Sequence, residues 1–234
     1  MTKVGLVGGI GPASTVEYYR LIIEEFRRRG NTDHYPEFHL HSIDMTEMLS
    51  YVFSGELKAL VDFLLERLRP LEKLGIEVAL LASNTPHLVF DELQAKTELR
   101  LISIVEESCK QMESLGLNRA GLLGTKSTMS AGFYQKKASR LGIELFAPSE
   151  KDQDYVHDKY MGELVFNTLL PETKNGLLGV VERLKEGHQI QGLVLGGTEL
   201  PLILSQSDFD DLHVLNTTEI HVRALVDELL KELP

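Results

Sequence analysis

The feature that most constrains the fold is an internal repeat. The segment Val4-Gly5-Leu6-Val7-Gly8 returns in similar form as Ala120-Gly121-Leu122-Leu123-Gly124. In each half a second apolar run, residues 78–82 or 192–195, follows after nearly the same length of chain and ends in small polar residues. This nearly equal spacing predicts a duplicated unit, although similar strand–glycine–helix patterns also occur in unrelated α/β proteins.

Each second apolar run leads into a polar turn and then a proline. The turns are Ser83-Asn84-Thr85-Pro86-His87 and Gly196-Gly197-Thr198-Glu199-Leu200-Pro201. In an open α/β sheet, ligands bind beyond the carboxyl ends of the strands. We therefore predict that the two turns are the halves of one ligand site, and a duplicated unit would place that site in a pocket between two domains.

Strand-like and helix-like segments alternate along the whole chain. Strands are predicted over residues 3–8, 37–42, 78–82, 101–104, 120–124, 144–146, 192–195 and 213–215. Such alternation is typical of parallel sheets covered by helices. The predicted fold class is α/β, with two similar three-layer domains, mostly parallel sheets and a pseudo-two-fold duplication. Residues 1–104 and 217–234 are predicted to form the first domain, and residues 105–216 the second.

Composition limits the class of protein and its partners. A chain of 234 residues, 43% hydrophobic and 25% charged, suits a globular protein with a large core. A net charge of −11 argues against nucleic acid and anionic membranes as partners, since both bind basic surfaces. The single cysteine, the lack of a signal-peptide pattern and the lack of an apolar run of membrane length predict a cytoplasmic location.

The segment Gly8-Gly9-Ile10-Gly11-Pro12 has some features of a dinucleotide-binding loop. The third glycine of that motif is missing, because Ser14 stands in its place, and the next predicted strand does not end at an acidic residue. What remains is a glycine turn at a helix N-terminus, where the N–H groups of Gly9, Ile10 and Gly11 could bind a carboxylate. The alternative is a tight turn without a ligand.

Two further groups of residues do not predict a site. His39 and His41 lie on one side of a predicted strand, but no cysteine or carboxylate at ligand spacing completes a metal site with His34 or His87. Cys109 lies in the middle of a predicted helix, as expected for a small buried side chain. We therefore predict no metal.

The remaining polar residues at the predicted strand ends suit a small anion. Thr85 and Thr198 offer hydroxyl groups and Asn84 offers an amide, while the second repeat adds Thr125 and Lys126. Lys126 is the cation adjacent to these turns, so it would pair with a carboxylate or, in the alternative, remain solvated. The predicted substrate-binding residues are Gly9, Ile10, Gly11, Asn84, Thr85, Thr125, Lys126 and Thr198.

These stretches together resemble the cofactor-independent aspartate/glutamate racemases along nearly the whole chain. The matching stretches are residues 8–15, 83–87, 123–129, 197–201 and 219–221. The resemblance implies two similar α/β domains with a pocket between them, and usually a homodimer. It further implies that an amino acid such as aspartate or glutamate is racemised without pyridoxal phosphate (PLP) or another cofactor.

In that family a cysteine stands on each side of the substrate: one thiolate removes the α-proton and the opposite thiol returns a proton. The resemblance places these positions at Ser83 and Gly197. A serine hydroxyl is a weak base without an activating partner, and glycine has no side chain. Glu199 and His221 are then catalytic candidates, together with His87. The missing side chain at Gly197 is expected to leave space for a water molecule or a larger substrate.

Three functional hypotheses follow. The first is an amino-acid racemase for aspartate, glutamate or a related amino acid. The alternative is a catalytically silent homologue that binds an amino acid or another small carboxylate, since both thiol positions are replaced. A third is a lyase or decarboxylase of the same superfamily, for which one proton donor suffices.

Overall fold

The computed structural model describes residues 2–30 and 33–231. The strands are β1 (Val4–Gly8), β2 (His39–Ser42), β3 (Val78–Leu81), β4 (Arg100–Ile102), β5 (Arg119–Gly124), β6 (Glu144–Phe146), β7 (Gly192–Gly196) and β8 (His213–Asn216). The helices are α1 (Pro12–Arg28), α2 (Met45–Ser54), α3 (Leu57–Lys73), α4 (Phe90–Gln94), α5 (Ile104–Ser114), α6 (Lys126–Ser130), α7 (Phe133–Ser139), α8 (Glu150–Gly162), α9 (Pro171–His188) and α10 (Thr217–Leu230). Short 3₁₀ helices span Thr85–Val89, Leu164–Phe166, Leu200–Leu202 and Gln206–Asp208.

The strands form two parallel sheets with the same strand order. The first sheet has the order β2-β1-β3-β4 and the second has the order β6-β5-β7-β8. Every neighbouring pair in both sheets is parallel. The predicted α/β fold class with two similar parallel sheets is confirmed, and the matching strand order is what a duplicated unit produces.

The chain divides into two compact units. The first unit comprises Met1–Ser103 and His221–Pro234, and the second comprises Ile104–Ile220. The chain returns to the first unit inside α10, because Ile220 packs in a core of the second unit whereas Val222 packs in a core of the first.

Helices cover both faces of the first sheet. Val7 and Leu81 pack against the side chains of α3, whereas Leu6 and Leu80 pack on the opposite face against α1 and α10. Because both faces are covered, β1 and β3 are buried along their whole length, which explains their continuous apolar sequences. Within the described residues, no helix combines the length and the apolar character needed to cross a bilayer.

The sequence pattern does not predict the helix α2. This helix buries Met48 fully and packs four partly buried residues against the same core, Met45, Leu49, Tyr51 and Val52. It begins because Asp44 Oδ1 accepts the N–H of Thr46 at 2.8 Å. The predicted strand over residues 101–104 is also shorter than expected, since Ile104 is already the first residue of α5.

Candidate functional site

The two predicted half-sites follow equivalent strands of the two sheets. The strands β3 and β7 each hold the third place in their sheet and pair with the strand that begins the repeat, β1 or β5. The turn over residues 83–85 follows β3, and the turn over residues 197–199 follows β7. The carboxyl ends of parallel strands are where α/β proteins bind ligands. Each unit therefore has a polar turn at the corresponding edge of its sheet.

The turn after β3 is polar and buried. Ser83 is 7% exposed, and Asn84, Thr85 and His87 are more deeply buried. The Ser83 N–H donates to the Leu81 carbonyl oxygen at 2.7 Å, so this amide is not available to an anion. His87 Nδ1 donates to the backbone carbonyl oxygen of Ser83 at 3.0 Å. Nothing in the described part of the chain hydrogen-bonds to the Ser83 hydroxyl, so the structure provides no base that activates it.

The glycine turn after β1 has one amide already occupied. Gly9 N–H donates to Thr15 Oγ1 at 2.8 Å, and Thr15 Oγ1 donates to the Gly11 carbonyl oxygen at 2.9 Å. Gly9, Ile10 and Gly11 are all buried, and the peptide bond between Ile10 and Gly11 is cis. Because Gly9 N–H is committed to Thr15, the predicted carboxylate contacts reduce to the amides of Ile10 and Gly11.

His221 is held in the interior of the first unit by both ring nitrogens. Its Nε2 donates to the Ile102 carbonyl oxygen at 2.9 Å, so its Nδ1 accepts from the Tyr18 hydroxyl at 2.9 Å. Burial lowers the pKa of His221 to about 4, against the opposing effect of the Ile102 hydrogen bond. The ring is therefore neutral at pH 7 with no nitrogen to spare, which favours a positioning role over direct proton transfer.

The turn after β7 contains a buried carboxyl group. Glu199 is 1% exposed, and its Oε2 accepts hydrogen bonds from the Tyr160 hydroxyl and, at 3.0 Å, from Thr198 Oγ1. Its other oxygen, Oε1, is buried and has no hydrogen-bond partner among residues 2–30 and 33–231. Glu199 is thus paired with a tyrosine that the sequence did not indicate.

The expected space at Gly197 is filled. A Cβ atom added to Gly197 would overlap Tyr160 Cε2, and it would lie 3.0 Å from Tyr160 Cζ and 3.1 Å from the hydroxyl oxygen. The expectation that a water molecule or a larger substrate occupies this space is therefore wrong. A signal for Tyr160 exists in α8, where Val156 and Tyr160, four residues apart, are the buried residues of a largely charged helix.

Thr125 and Lys126 are engaged in local structure. Thr125 Oγ1 accepts the N–H of Thr128 at 3.3 Å and thereby caps α6. The Lys126 ammonium group pairs with the Asp154 carboxylate, and its backbone N–H donates to His157 Nδ1 at 3.3 Å. The hydrogen bond that Lys126 donates to Asp154 raises the pKa of Lys126. The Lys126 side chain is 43% exposed, and a pair this exposed is weak enough to exchange partners.

The histidines of β2 lie apart from His87. His39 and His41 are on a solvent-exposed edge strand, while His87 is buried beside Ser83. Within the part of the chain that the structure describes, no group of three His, Cys, Asp or Glu side chains could hold a metal ion. Cys109 is buried in α5, and burial raises the pKa of its thiol to about 12, so it remains protonated.

Comparison with known proteins identifies the family of this chain. The family model described as Asp/Glu/hydantoin racemase matches residues 7–225. The chain belongs to this family. Among curated relatives, the broad specificity amino-acid racemase RacX of Bacillus subtilis is 27% identical over 155 residues, which cover 61% of this chain. The match spans 63% of the length of RacX.

Similarity to solved structures extends over nearly the full chain. A candidate Asp/Glu racemase from Yersinia pestis is 29% identical with a TM-score of 0.88, and the match covers 99% of this chain and 100% of that one. An aspartate racemase homologue from Pyrococcus horikoshii is 33% identical with a TM-score of 0.84, again over 99% of this chain and 100% of that one.

Proposed function

We propose that this chain is an amino-acid racemase that acts on aspartate, glutamate or a related amino acid without PLP. One observation carries the proposal: a buried polar turn follows the same strand in each of two sheets with the same order. These turns contain positions 83 and 197, where the resemblance to the racemases places the groups that transfer protons. Membership of the family supports this function.

The substrate carboxylate is proposed to bind to hydrogen-bond donors at these strand ends. The donors are the backbone N–H groups of Ile10 and Gly11, the Asn84 amide and the Thr85 hydroxyl group; the Thr198 hydroxyl is not one of them, because it already donates to Glu199. Removal of the α-proton leaves negative charge that spreads into the substrate carboxylate. Donors that already point at this carboxylate stabilise that charge and so lower the barrier to proton removal.

A second candidate function is a silent homologue that binds an amino acid without turning it over. This function is favoured because the Ser83 hydroxyl has no activating hydrogen-bond partner among the described residues. The carboxylate-binding donors of the racemase proposal would serve such a binder equally well. The two candidates therefore differ in proton transfer and not in the ligand.

Hydrogen exchange at the α-carbon separates the two candidates. The protein is incubated in D2O with L- and D-aspartate and with L- and D-glutamate, without added PLP, and the Cα–H signal is followed by NMR. A racemase exchanges this hydrogen and converts the enantiomers. A binder shows no exchange, but its Tm rises with the same amino acids because a ligand of the native state stabilises it.

A substitution at position 83 sharpens the experiment. Ser83→Cys restores a thiol, which is far more acidic and nucleophilic than a hydroxyl, so we expect the exchange rate to rise at least about tenfold. Ser139→Cys, at an exposed serine of α7, adds a thiol away from the strand ends and should leave the rate unchanged. No exchange by either the parent chain or folded Ser83→Cys would overturn the racemase proposal. The cytoplasmic location and the homodimer remain predictions.

A further inference from the structure

The side chain that occupies the space at position 197 comes from another element. Tyr160 belongs to α8, and its hydroxyl oxygen lies 3.1 Å from the point where the Cβ of residue 197 would stand. The ring itself overlaps that point. Tyr160 therefore places its O–H group 3.1 Å from the point where a side chain of residue 197 would begin.

The Tyr160 hydroxyl is joined to a carboxyl group that is incompletely paired. It donates to Glu199 Oε2, and Glu199 Oε1 is buried without a partner in the described chain. Buried polar atoms nearly always have hydrogen-bond partners, and the exceptions include atoms with a catalytic role. A buried carboxyl oxygen left unpaired beside a phenol points to a pair that exchanges protons.

The surroundings of Tyr160 keep it protonated and still offer donors to its oxygen. Burial and the charge of Glu199 raise the pKa of Tyr160 well above its ordinary value, so the phenol is neutral at pH 7. The nearby Thr198 side chain and Glu199 backbone act on the pKa of Tyr160 in the opposite direction, and they would stabilise negative charge that develops on its oxygen while a proton moves.

We propose that the Tyr160 hydroxyl, held by Glu199, takes the place of the side chain missing at position 197 and transfers a proton to and from the substrate α-carbon. The inference rests on the proposed racemase function. In one direction the Cα–H bond breaks and its proton goes to the Tyr160 oxygen, as the phenol proton moves to Glu199 Oε2. The electron pair stays on the substrate and spreads into its carboxylate. In the other direction Glu199 returns the proton to Tyr160 as the phenol proton forms the new Cα–H bond.

Measurements of Tm alone test whether the Tyr160 ring occupies the space beside Gly197. Gly197→Ala forces a methyl group into the Tyr160 ring, so we expect its Tm to fall by about 5 °C, as for overpacking of a buried site. In a Tyr160→Ala background the same change should cost nothing, because the obstructing ring is gone. Gly187→Ala, in α9 with open space around the added methyl, is the control. If Gly197→Ala lowers the Tm equally with and without the Tyr160 ring, the claim that this ring occupies the space at position 197 is overturned.

Proton transfer is tested by following each enantiomer separately. Tyr160→Phe keeps the ring and removes the O–H group, so exchange in D2O should fall at least about 100-fold for one enantiomer of the substrate. When the comparison is made in a Ser83→Cys background, exchange of the other enantiomer should persist, because its proton is handled by the thiol at position 83. Glu199→Gln should show the same split, and Tyr155→Phe, on the same helix, should behave as the parent chain.

The outcomes separate this inference from the proposed function. An enantiomer-selective loss in Tyr160→Phe supports the inference, and unchanged exchange of both enantiomers overturns it. Parallel loss of both, together with a lower Tm, assigns Tyr160 a structural role and also overturns it. If the parent chain and Ser83→Cys exchange nothing, the racemase function fails and proton transfer by Tyr160 fails with it, while the Gly197→Ala cycle still decides the occupancy.

Discussion

At the scale of single residues, the turn after β1 depends on the absence of a side chain at Gly9. This residue has a φ of 86°, and an added Cβ would overlap the Ile43 carbonyl oxygen and lie 2.8 Å from Ile43 N. Backbone atoms cannot move aside as the end of a side chain can. We expect Gly9→Ala to lower the free energy of unfolding by about 3 kcal/mol, measured by urea denaturation.

The control for Gly9→Ala is a glycine with the same conformation and no close neighbour. Gly142 has a φ of 72° and open space around its added Cβ. Gly142→Ala should therefore lower the free energy of unfolding by about 1 kcal/mol, through the strain of the left-handed backbone conformation alone. Equal losses in the two variants would show that contact with Ile43 contributes nothing.

Sequence reasoning located the polar turns but not the contacts of their side chains. Ser83 and Glu199 lie at the strand ends where the apolar runs placed them, because a strand end is a local feature. Tyr160 was missed because its contact with Gly197 and Glu199 joins segments far apart in sequence. The occupied amide of Gly9 was missed for a similar reason, since only the folded turn brings Thr15 Oγ1 to it.

At the scale of elements, the N-terminus of α10 is fixed by Asn216. Its Oδ1 accepts the N–H groups of Thr218 at 3.1 Å and Glu219 at 3.3 Å, and its Nδ2 donates to Glu219 Oε1 at 2.9 Å. We expect Asn216→Ala to lower the free energy of unfolding by about 1 kcal/mol in chemical denaturation, because these N–H groups lose their acceptor. Asn216→Ser retains an acceptor and should keep most of the stability; equal losses would contradict the capping role.

Strands were predicted more closely than short helices. The strand β6 has the predicted bounds, and the predicted bounds of β3 and β7 differ from those observed by a single residue. Continuous apolar runs identify such strands because helices bury both faces of the sheets. The helix α2 is not predicted, although its start has a local signal in the cap at Asp44.

At the scale of the whole molecule, the sequence predicts the duplicated plan of the fold. The two sheets share one strand order, and the half-site turn follows the third strand of that order in each unit. The two turns have nevertheless diverged in chemistry. The first presents a hydroxyl at Ser83, whereas the second has no side chain at Gly197 and uses a tyrosine from α8 instead. Spacing is inherited with the fold, but side-chain chemistry at a given position is not.

The stability of the whole chain should depend on pH through His221. Its pKa is about 4 in the folded protein against 6.5 for an unperturbed histidine, so between these values the unfolded chain binds a proton that the folded chain excludes. The stabilisation is complete above pH 6.5 and is lost as the pH falls toward 4, by about 3 kcal/mol in total. The ring packs against Tyr18 and His87, and both its nitrogens are hydrogen-bonded, so a proton can enter only if the Tyr18 hydrogen bond reverses or breaks.

Urea denaturation at a series of pH values between 7 and 4.5 measures this dependence. His221→Gln removes the titrating group, so the free energy of unfolding of this variant should fall less steeply than that of the parent chain as the pH is lowered. The two slopes should differ by at most the equivalent of one bound proton. His213→Gln, at an exposed histidine of β8, should keep the parent slope. Parallel slopes for the parent chain and His221→Gln would mean that His221 is protonated in the folded protein at pH 5. The Tyr18 hydrogen bond would then have to be directed from the ring to the phenol oxygen.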